Sequence, residues 1–317
     1  MKIVMLEPLA VSEDVINKLS TRLKEENHEL VVYDTVTNDV EELKERAKGA
    51  DALIIASNPL PGEVIRSVDE LKFISVAFTG VDHVDLDACK EKDVKVSNAA
   101  GYSNQSVAEL VIGMIIFKLR NIVECNEVIR QGKTKDGLVG YELAGKTVGI
   151  VGTGAIGLRV AEILKAFGCK ILGNNRSHCQ AGIDLGIEYV SLDDLLKESD
   201  IVTLHTPLTE ETKHLINSEN IKLMKPTSIL INCARGLVVD IDAVAKALNE
   251  KKIAGAAIDV FEVEPPLAKD HVLIEADGAL LTPHVAFATA ESMVARAEIT
   301  FDNVYSWLDG KQINTIL

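Results

Sequence analysis

Short apolar runs alternate with charged, helix-like stretches along the first hundred residues. The apolar runs are KIVML from Lys2, VVYD from Val31, ALIIAS from Ala52 and LKFISVAF from Leu71, and the helical patterns lie near Val15 to Glu26 and Val40 to Lys48. This alternation predicts a parallel sheet covered by helices. Because ligands of open α/β sheets lie beyond the carboxyl ends of strands, we expect the loops at residues 56–61 and 78–81 to face a substrate.

The second half of the chain repeats the pattern after a long helical stretch. Asn104 to Arg130 is apolar on nearly every face in its first half, which is typical of a helix buried between domains or subunits. Six strand-like runs follow, namely TVGIVG, KILGNN, DIVTLHT, SILINCA, IAGAAIDV and ALLTPH. They predict a six-stranded doubly wound sheet. Glu291 to Trp307 is helical again, and we expect this last segment to pack back on the first domain.

Three glycines stand between a strand and an amphipathic helix in KTVGIVGTGAIGLRVAEILKAFG, from Lys146 to Gly168. In a dinucleotide-binding βαβ unit, Gly152 would allow the tight turn, Gly154 the approach of a pyrophosphate and Gly157 close packing of helix and strand. A simple tight turn is the alternative. Because such a motif opens the first strand of its fold, the preceding residues form a separate domain, and 317 residues exceed the roughly 250 to 300 at which single cores split.

The composition excludes several classes of partner. Hydrophobic residues make up 47% of the chain, which is enough for a folded core, and the formal net charge of −15 argues against nucleic acid or an anionic membrane. The five cysteines show no CxxC spacing, so we expect a reducing, cytoplasmic location and no metal site. The longest apolar candidate for a membrane span, residues 110–117, is too short, and no secretory signal is expected.

Three polar residues follow late strands of the predicted sheet: Arg235 after SILINCA, Glu264 after IAGAAIDV and His284 at the end of ALLTPH. An arginine can grip a carboxylate bidentately, a histidine can exchange a proton near neutral pH, and a glutamate beside it stabilises the imidazolium. Each residue alone could equally be a surface or turn residue. Their joint position at the strand ends favours a hydride-transfer site for a 2-oxo acid.

The chain resembles the D-isomer-specific 2-hydroxyacid dehydrogenases over nearly its whole length. The motifs that carry the resemblance are GVDHVDL (80–86), SVAEL (106–110), VGTGAIG (151–157), HTPLTEETKHLI (205–216), NCARG (232–236), AAIDVFEVEP (256–265) and TPH (282–284). The resemblance implies that Arg235 binds the carboxylate and carbonyl oxygen of the substrate, that His284 is the acid/base and that Glu264 pairs with it. It also implies a homodimer built through the helix near Ser106 to Arg120.

The resemblance further implies an α/β fold with two doubly wound parallel-sheet domains. A flavodoxin-like substrate domain would comprise residues 1–99 and 289–317, and a Rossmann nucleotide-binding domain residues 100–288. Substrate contacts are expected at Ser57, Thr79, Gly80 and Val81. Cofactor contacts are expected at Gly152, Gly154, Ala155, Ile156, Gly157, Asn175, Arg176, Ser177, Thr206, Pro207, Thr212, Cys233, Ala234 and Asp259.

The expected acidic residue at the end of the second nucleotide-binding strand is missing. NAD-binding folds carry Asp or Glu about 20 residues after the glycines, whereas this strand ends in GNNRS, with Asn174 and Asn175 followed by Arg176 and Ser177. Loss of the carboxylate removes repulsion of a 2′-phosphate, and a guanidinium beside a hydroxyl can bind one. We therefore predict NADP(H) over NAD(H). In the alternative, Arg176 points into solvent and Asn175 bonds the ribose.

The loop Ala56-Ser57-Asn58 lacks the arginine that phosphoglycerate-oxidising members of the family tend to place there. We therefore expect a small unphosphorylated acid such as glyoxylate, hydroxypyruvate or an aliphatic 2-oxo acid, with D-3-phosphoglycerate dehydrogenase as the alternative enzyme. Formate- and phosphite-oxidising relatives are disfavoured by Glu264 and Thr79, where they carry glutamine and lysine. A nucleotide-sensing corepressor with the same fold is the alternative outside enzymes.

Overall fold

The computed structural model describes residues 1–264 and 266–317, so Pro265, the last residue of AAIDVFEVEP, lies outside the described residues. The chain divides into two compact units. Unit 1 comprises Met1–Ser103 and Ala288–Leu317, and unit 2 comprises Asn104–Phe287.

Unit 1 is built on a five-stranded parallel sheet. Its elements up to Ser103 are β1 (Lys2–Met5), α1 (Glu13–Leu19), α2 (Thr21–Glu25), β2 (Glu29–Val32), α3 (Val40–Ala47), β3 (Ala52–Ile55), α4 (Gly62–Ser67), β4 (Phe73–Val76), α5 (Leu86–Glu91) and β5 (Lys95–Asn98). The strand order is β2-β1-β3-β4-β5, the flavodoxin-like order. Every pair is parallel, as predicted from the alternation of strands and helices.

Unit 2 contains a seven-stranded parallel sheet. Its elements are α6 (Asn104–Leu119), α7 (Ile122–Arg130), β6 (Thr147–Val151), α8 (Ala155–Ala166), β7 (Lys170–Asn174), α9 (Gln180–Asp184), β8 (Glu188–Tyr189), α10 (Leu192–Glu198), β9 (Ile201–Leu204), β10 (Ile229–Asn232), α11 (Ile241–Asn249), β11 (Gly255–Ile258) and β12 (Ala279–Leu281), with 3₁₀ turns at Ile221–Leu223 and Gly236–Val238. The strand order is β12-β11-β10-β9-β6-β7-β8. Successive strands are added on one side of β6 up to β8 and on its other side from β9 onward, so the switch point lies between β6 and β9. Together the two parallel sheets confirm the predicted fold class.

The last helix returns the chain to unit 1. This helix, α12 (Ala290–Leu308), begins with a capping box in which Thr289 Oγ1 accepts a hydrogen bond from the Ser292 amide at 3.1 Å. Near its end, Trp307 stacks on Phe73 of β4 with ring centroids 5.0 Å apart. The expectation that this segment packs back on the first domain is confirmed.

Two predicted helices are each broken into two. The expected helix from Asn104 to Arg130 ends at Leu119 and restarts at Ile122, because Asn121 adopts a left-handed conformation with φ of 49°. Asparagine tolerates this conformation better than most residues, but the apolar periodicity around it does not reveal the break. The expected helix at Val15 to Glu26 is likewise interrupted at Ser20, whose hydroxyl donates to Asn17 O at 3.2 Å.

Two strands, β5 and β8, and the short helices α4 and α5 were not predicted from the sequence. In β5 the polar residues Ser97 and Asn98 are buried, because Ser97 Oγ donates to Ile313 O at 2.7 Å and Asn98 Nδ2 donates to Thr79 O at 2.6 Å. Buried polar side chains hide the apolar pattern of a strand. The expectation of six strands in the second sheet was wrong because β8 has only two residues and pairs at the sheet edge.

Each unit has its own hydrophobic core. Unit 1 buries a cluster around Ile3, Ile54, Phe73 and Phe301, between the sheet and α12. In unit 2, neighbouring residues of one strand, such as Ile171 and Leu172, belong to clusters on opposite faces of the sheet. Within the described ranges, no helix combines the length and the apolar character needed to cross a membrane.

Candidate active site

The predicted site residues of unit 2 follow strands whose carboxyl ends are in register. The paired terminal positions are Val151 with Asn174 and Leu204, Leu204 with Asn232, Asn232 with Ile258, and Ile258 with Leu281. Every expected cofactor and catalytic residue of this unit lies within a few residues of one of these ends or in the turns that follow them. The structure therefore brings the predicted site to one edge of the sheet, where doubly wound folds bind dinucleotides.

Two glycines of the predicted dinucleotide motif are required by packing within the protein. Gly152 has φ of +94°, and a Cβ there would lie 2.6 Å from His205 O. A Cβ at Gly157 would overlap Gly152 O, so the first turn of α8 can approach the end of β6 only with glycine there. Both positions thus set the shape of the turn between strand and helix, as the motif predicts.

Gly154 differs from both, because a Cβ there would meet no atom within 4 Å and its φ of −78° suits any residue. Packing within the chain therefore does not require glycine at this position, whereas close approach of a group from outside the chain would. Gly154 is also the N-cap of α8, whose first amides belong to Ala155, Ile156 and Gly157. A helix N-terminus with open space in front of it suits a pyrophosphate.

Thr206 supplies a second indication of a bound group. Its Oγ1 is buried and finds no hydrogen-bond partner among the described residues. Thr206 lies beside the glycine turn, since its Cγ2 would be 3.0 Å from a Cβ on Gly152. A buried hydroxyl is normally satisfied, so an unpaired one beside the glycine turn fits a ligand oxygen at this point. The residues present therefore fit a dinucleotide cofactor.

Substitutions at Gly157 and Gly154 test separately whether glycine is needed for packing or for binding of the cofactor. Gly157→Ala is expected to lower the free energy of unfolding by about 1–3 kcal/mol, because its Cβ overlaps Gly152 O. Gly154→Ala is expected to lower it by less than about 1 kcal/mol, yet to weaken dinucleotide binding at least about tenfold. Urea unfolding and titration of protein fluorescence with NADPH and NADH measure the two effects. Unchanged nucleotide affinity in Gly154→Ala would show that no phosphate approaches this turn.

The segment after β9 forms a fixed turn beside the glycines. His205 Nε2 lies 2.9 Å from Thr203 Oγ1, and burial lowers the pKa of His205 to about 4, so its imidazole is neutral at physiological pH. Thr212 Oγ1 donates to Pro207 O at 2.7 Å and accepts from the Thr209 amide at 2.8 Å. The expected cofactor residues Pro207 and Thr212 therefore hold one closed turn together.

The end of β7 holds the residues expected to choose between the two nicotinamide cofactors. Asn174 Nδ2 donates to Val190 O at 3.0 Å, and Asn175 Nδ2 donates to Ser177 O at 2.7 Å. Arg176 and Ser177 are exposed, so their side chains are accessible beyond the strand end. Neither amide carries charge. The acidic neighbour of the Arg176 guanidinium comes instead from the segment after β9, where a hydrogen bond from Thr209 and the attraction of Arg176 lower the pKa of Glu211.

A buried asparagine shapes the turn that carries Arg235. Asn232 is fully buried, its Nδ2 donates to Arg235 O at 2.9 Å and its Oδ1 accepts from the Ala234 amide at 3.0 Å. Arg235 Nη1 in turn donates to Ala234 O at 2.8 Å. The neighbouring Cys233 thiol is turned into the core against Met114, and burial raises its pKa well above the usual range. Any contact of Cys233 with a cofactor must therefore come from its main chain.

Gly236, which follows Arg235, packs closely against the loop that carries Glu264. A Cβ at Gly236 would overlap Phe261 O and its carbonyl carbon. The same loop is held from its other side by His271, whose ring lies edge-on to Phe261 and whose Nε2 is 3.0 Å from Glu262 Oε1. The position of the loop beside Arg235 therefore depends on a contact that only glycine permits.

His284 and Glu264 form a close pair. His284 Nδ1 lies 2.8 Å from Glu264 Oε2, with 17% of the histidine side chain and 72% of the glutamate side chain exposed. With Nδ1–H donating to the carboxylate, the imidazole is held in one orientation, and exchange of a proton with a substrate would fall to Nε2. Phe287 packs edge-on against the ring with centroids 5.4 Å apart. This geometry is that of an oriented acid/base.

Asp259 holds the loop on which His284 lies. Its fully buried carboxylate accepts hydrogen bonds from Thr282 Oγ1 and from the amides of Val285 and Ala286, both at 2.9 Å. The backbone carbonyl of Asp259 accepts from the His284 amide at 2.8 Å, and His284 has a φ of 55°. A left-handed histidine costs free energy, which these bonds offset. Asp259, expected to contact the cofactor, is thus occupied in positioning His284.

In unit 1 the two expected substrate loops lie side by side. The Leu60 amide donates to His83 O at 2.8 Å, and Leu60 forms a β-bridge with Val84. Thr79 is exposed, and its carbonyl accepts from Asn98, whereas Gly80 and Val81 are half-buried. Ser57 is exposed at the carboxyl end of β3. The structure thus places the predicted residues of this unit in loops that follow the neighbouring strands β3 and β4.

Sequence reasoning missed Asn232, Gly236 and Glu7, which hold the loops rather than extend from them. Asn232 and Glu7 gave a usable signal, because each is a polar residue at the end of a buried apolar strand. For Gly236 the sequence gives only a glycine after the motif arginine.

Comparison with known proteins gives the family. The model of the NAD-binding domain of D-isomer specific 2-hydroxyacid dehydrogenases matches residues 112–286. A glyoxylate reductase of Thermofilum pendens is 41% identical over 86% of this chain and 82% of its own, and a D-3-phosphoglycerate dehydrogenase of Methanocaldococcus jannaschii is 38% identical over 100% of this chain and 59% of its own. A solved acyclic imino acid reductase in complex with NADPH and D-Arg superposes with a TM-score of 0.89 and 30% identity, over 100% of both chains.

Proposed function

Because the chain belongs to the family of D-isomer specific 2-hydroxyacid dehydrogenases, we propose that it transfers hydride between a nicotinamide cofactor and a small, unphosphorylated 2-oxo or 2-hydroxy acid. As a member of this family it is an NAD(P)-dependent oxidoreductase. The observation that carries the proposal is the His284–Glu264 pair, on a strand-end loop of the sheet that also carries the glycine turn.

Arg235 is the proposed substrate-binding residue. Its guanidinium offers a rigid fork of N–H donors, which matches the two oxygens of a carboxylate. The Asn232 bonds to Arg235 O and the Ala234 amide hold the backbone of its turn. Arg235 would thereby fix the substrate carboxylate and orient the carbonyl for attack.

His284 is the proposed acid/base. When bound, the nicotinamide cofactor supplies or accepts the hydride. In the reducing direction, protonated His284 donates its Nε2 proton to the carbonyl oxygen as negative charge develops there, and Glu264 stabilises the imidazolium through Nδ1–H. In the oxidising direction, neutral His284 takes the hydroxyl proton. Asp259 keeps the histidine loop in place throughout.

The loop beyond β3 supports an unphosphorylated substrate. Ala56-Ser57-Asn58 has no cationic side chain, and the amides of Ala56 and Asn58 are taken by the buried carboxylate of Glu7. The loop therefore offers a phosphate no cationic side chain, and two of its main-chain amides already bind Glu7. Glyoxylate, the substrate in the name of the Thermofilum pendens relative, is the first substrate that we propose.

NADP(H) is the proposed cofactor over NAD(H). The proposal is supported by the exposed Arg176 and Ser177 and by the uncharged Asn174 and Asn175 at the end of β7, since a 2′-phosphate needs a cation and is repelled by a carboxylate at the strand end. Arg176 also attracts the Glu211 carboxylate, with which a 2′-phosphate would compete for the guanidinium. The imino acid reductase of similar structure was solved with NADPH.

One panel of rate measurements tests substrate and cofactor together. We expect NADPH to be oxidised faster than NADH with glyoxylate or hydroxypyruvate, and slowly with pyruvate, phenylpyruvate and 3-phosphohydroxypyruvate. Arg176→Ala is expected to raise KM for NADPH about tenfold and to leave KM for NADH unchanged. If 3-phosphohydroxypyruvate were the best substrate, the alternative enzyme, a D-3-phosphoglycerate dehydrogenase, would be established. Equal effects of Arg176→Ala on the KM values for NADPH and NADH would contradict binding of the 2′-phosphate by Arg176.

A homodimer is proposed from the apolar surface of unit 2. Five exposed apolar residues lie in or after α7, namely Ile122, Val123, Ile129, Val139 and Tyr141. Several exposed large apolar side chains in one segment of the chain favour a role of that segment in an interface. This surface lies mainly beyond the helix at Ser106 to Arg120, where the dimer contact was expected. A cytoplasmic location is proposed as well, supported by five free cysteines.

Sedimentation velocity at micromolar concentration tests the dimer. We expect the wild-type chain to sediment as a dimer and Ile129→Glu as a monomer, because a buried carboxylate in an apolar interface is costly. Val36→Glu, which changes an exposed valine of unit 1, is the matched control and should remain dimeric. A monomeric wild type would contradict the proposal.

A further inference from the structure

Glu7 is a buried acidic residue at the carboxyl end of β1. Only 5% of it is exposed, and its carboxylate contacts the loop after β3 rather than solvent. Oε1 accepts hydrogen bonds from the Ala56 amide at 2.7 Å and from the Asn58 amide at 3.2 Å, and Oε2 accepts from Asn58 Nδ2. One carboxylate therefore satisfies three donors of a single loop.

These bonds lie on both sides of Ser57. The side chain of Asn58 is turned inward to Glu7, whereas Ser57 is exposed. With both neighbouring amides fixed to one carboxylate oxygen, the backbone of Ser57 has little freedom. Glu7 thus determines which residue of this loop faces outward.

The opposite charge comes from α12. Arg296 is 3% exposed, Coulombic attraction links it to Glu7, and its Nη2 donates to Leu9 O at 2.8 Å. Its guanidinium also lies 6.0 Å from the ring centroid of Tyr102. The segment after β1 is thereby fixed by a helix from the end of the chain. A buried carboxylate with this many partners is held in one position.

We propose that Glu7 is a positioning residue for substrate binding, which fixes the loop Ala56 to Asn58 so that Ser57 and its backbone can contact the substrate carboxylate. Glu7 itself does not touch the substrate. The claim that this loop contacts a 2-oxo acid rests on the proposed function. The claim that Glu7 fixes the loop rests only on the hydrogen bonds. A role confined to the stability of unit 1 is the competing explanation.

Glu7→Gln and Asn58→Ala in the full chain test the inference, with Asp51→Asn as the matched control. Asp51 also binds a main-chain amide, that of Lys2 at 2.9 Å, and pairs with Lys72, but it lies at the opposite end of the strands. Hydrogen exchange followed by mass spectrometry reports the amides of residues 52–60. Steady-state kinetics with glyoxylate and NADPH report KM for each substrate and kcat.

Glu7→Gln is expected to speed exchange of the Ala56 and Asn58 amides about tenfold and to raise KM for glyoxylate about tenfold. The amides within β3, kcat and KM for NADPH should change less than about twofold. Asn58→Ala should give the same pattern with smaller effects. If Glu7→Gln does not fold, Asn58→Ala is compared with the wild type in its place. Asp51→Asn should change neither the loop nor KM.

Faster exchange with an unchanged KM for glyoxylate would overturn the positioning role, and unchanged exchange in both variants would overturn the clamp itself. Equal effects on kcat and both KM values would indicate a general loss of structure and also contradict the inference. If the wild-type chain turns over no 2-oxo acid, the proposed function fails and with it the substrate role of Glu7, whereas hydrogen exchange still decides whether Glu7 holds the loop.

Discussion

His284→Gln is expected to lower kcat for 2-oxo acid reduction about a thousandfold. Glutamine keeps a hydrogen-bonding group beside Glu264, but its amide has no acidic proton to transfer to the substrate. The loop should keep its shape, since Asp259 holds it through the amides of Val285 and Ala286. KM for the cofactor and the free energy of unfolding are therefore expected to change little.

The chain offers a matched control for this variant in a second histidine–glutamate pair. His271 Nε2 lies 3.0 Å from Glu262 Oε1, close to the 2.8 Å of the proposed acid/base pair, and its side chain is 8% exposed. His271→Gln should lower kcat by less than about tenfold, since it supports the loop without exchanging a proton with substrate. Rates of single turnover with NADPH compare the two. A kcat within tenfold of wild type in His284→Gln would refute its role as acid/base.

Arg235→Lys is expected to lower kcat/KM for 2-oxo acids by about 10²–10³-fold, with kcat falling and KM rising together. Lysine keeps the positive charge but loses the planar fork, so it attracts the carboxylate without orienting the carbonyl. The turn itself should survive, because Asn232 bonds only to the main chain of Arg235 and Ala234. Affinity for NADPH should therefore stay unchanged.

Initial rates over a range of glyoxylate and NADPH concentrations measure these constants. Arg159→Lys is the matched control, because Arg159 is an exposed arginine of α8 that pairs with Glu162 and Gln105. It should leave kcat/KM unchanged. If Arg235→Lys altered only the constants for NADPH, Arg235 would belong to the cofactor site instead.

The sequence alone predicted the parts of this protein that depend on local pattern. Alternation of apolar and polar runs gave two parallel sheets, because burial on both faces makes parallel strands apolar throughout. The glycine motif gave the turn after β6, where packing demands glycine at two positions. Arg235, Glu264 and His284 were predicted as a site because parallel strands bring their carboxyl ends to one edge.

Only the tertiary structure decided what the polar residues at those edges do. Asp259, for which the prediction was a cofactor contact, binds the amides of the His284 loop, and Glu7, for which the sequence analysis gave no role, holds the Ser57 loop. A carboxylate at a strand end can face solvent, a ligand or main-chain amides. The choice depends on loops far away in sequence, here separated by 26 and 49 residues, whose positions no local pattern encodes.

The helix breaks show the same division between local pattern and tertiary context. Asn121 interrupts a largely apolar stretch that was predicted to be one helix, since a single left-handed residue leaves the helix-like sequence on both sides intact. Gly236 resembles an ordinary loop glycine until the backbone of Phe261 is placed against it. Period and motif thus predicted most of the elements and the residues that we propose for the chemistry. The contacts between distant segments determined the exact positions of those residues, because close packing and hydrogen bonding are satisfied only in three dimensions.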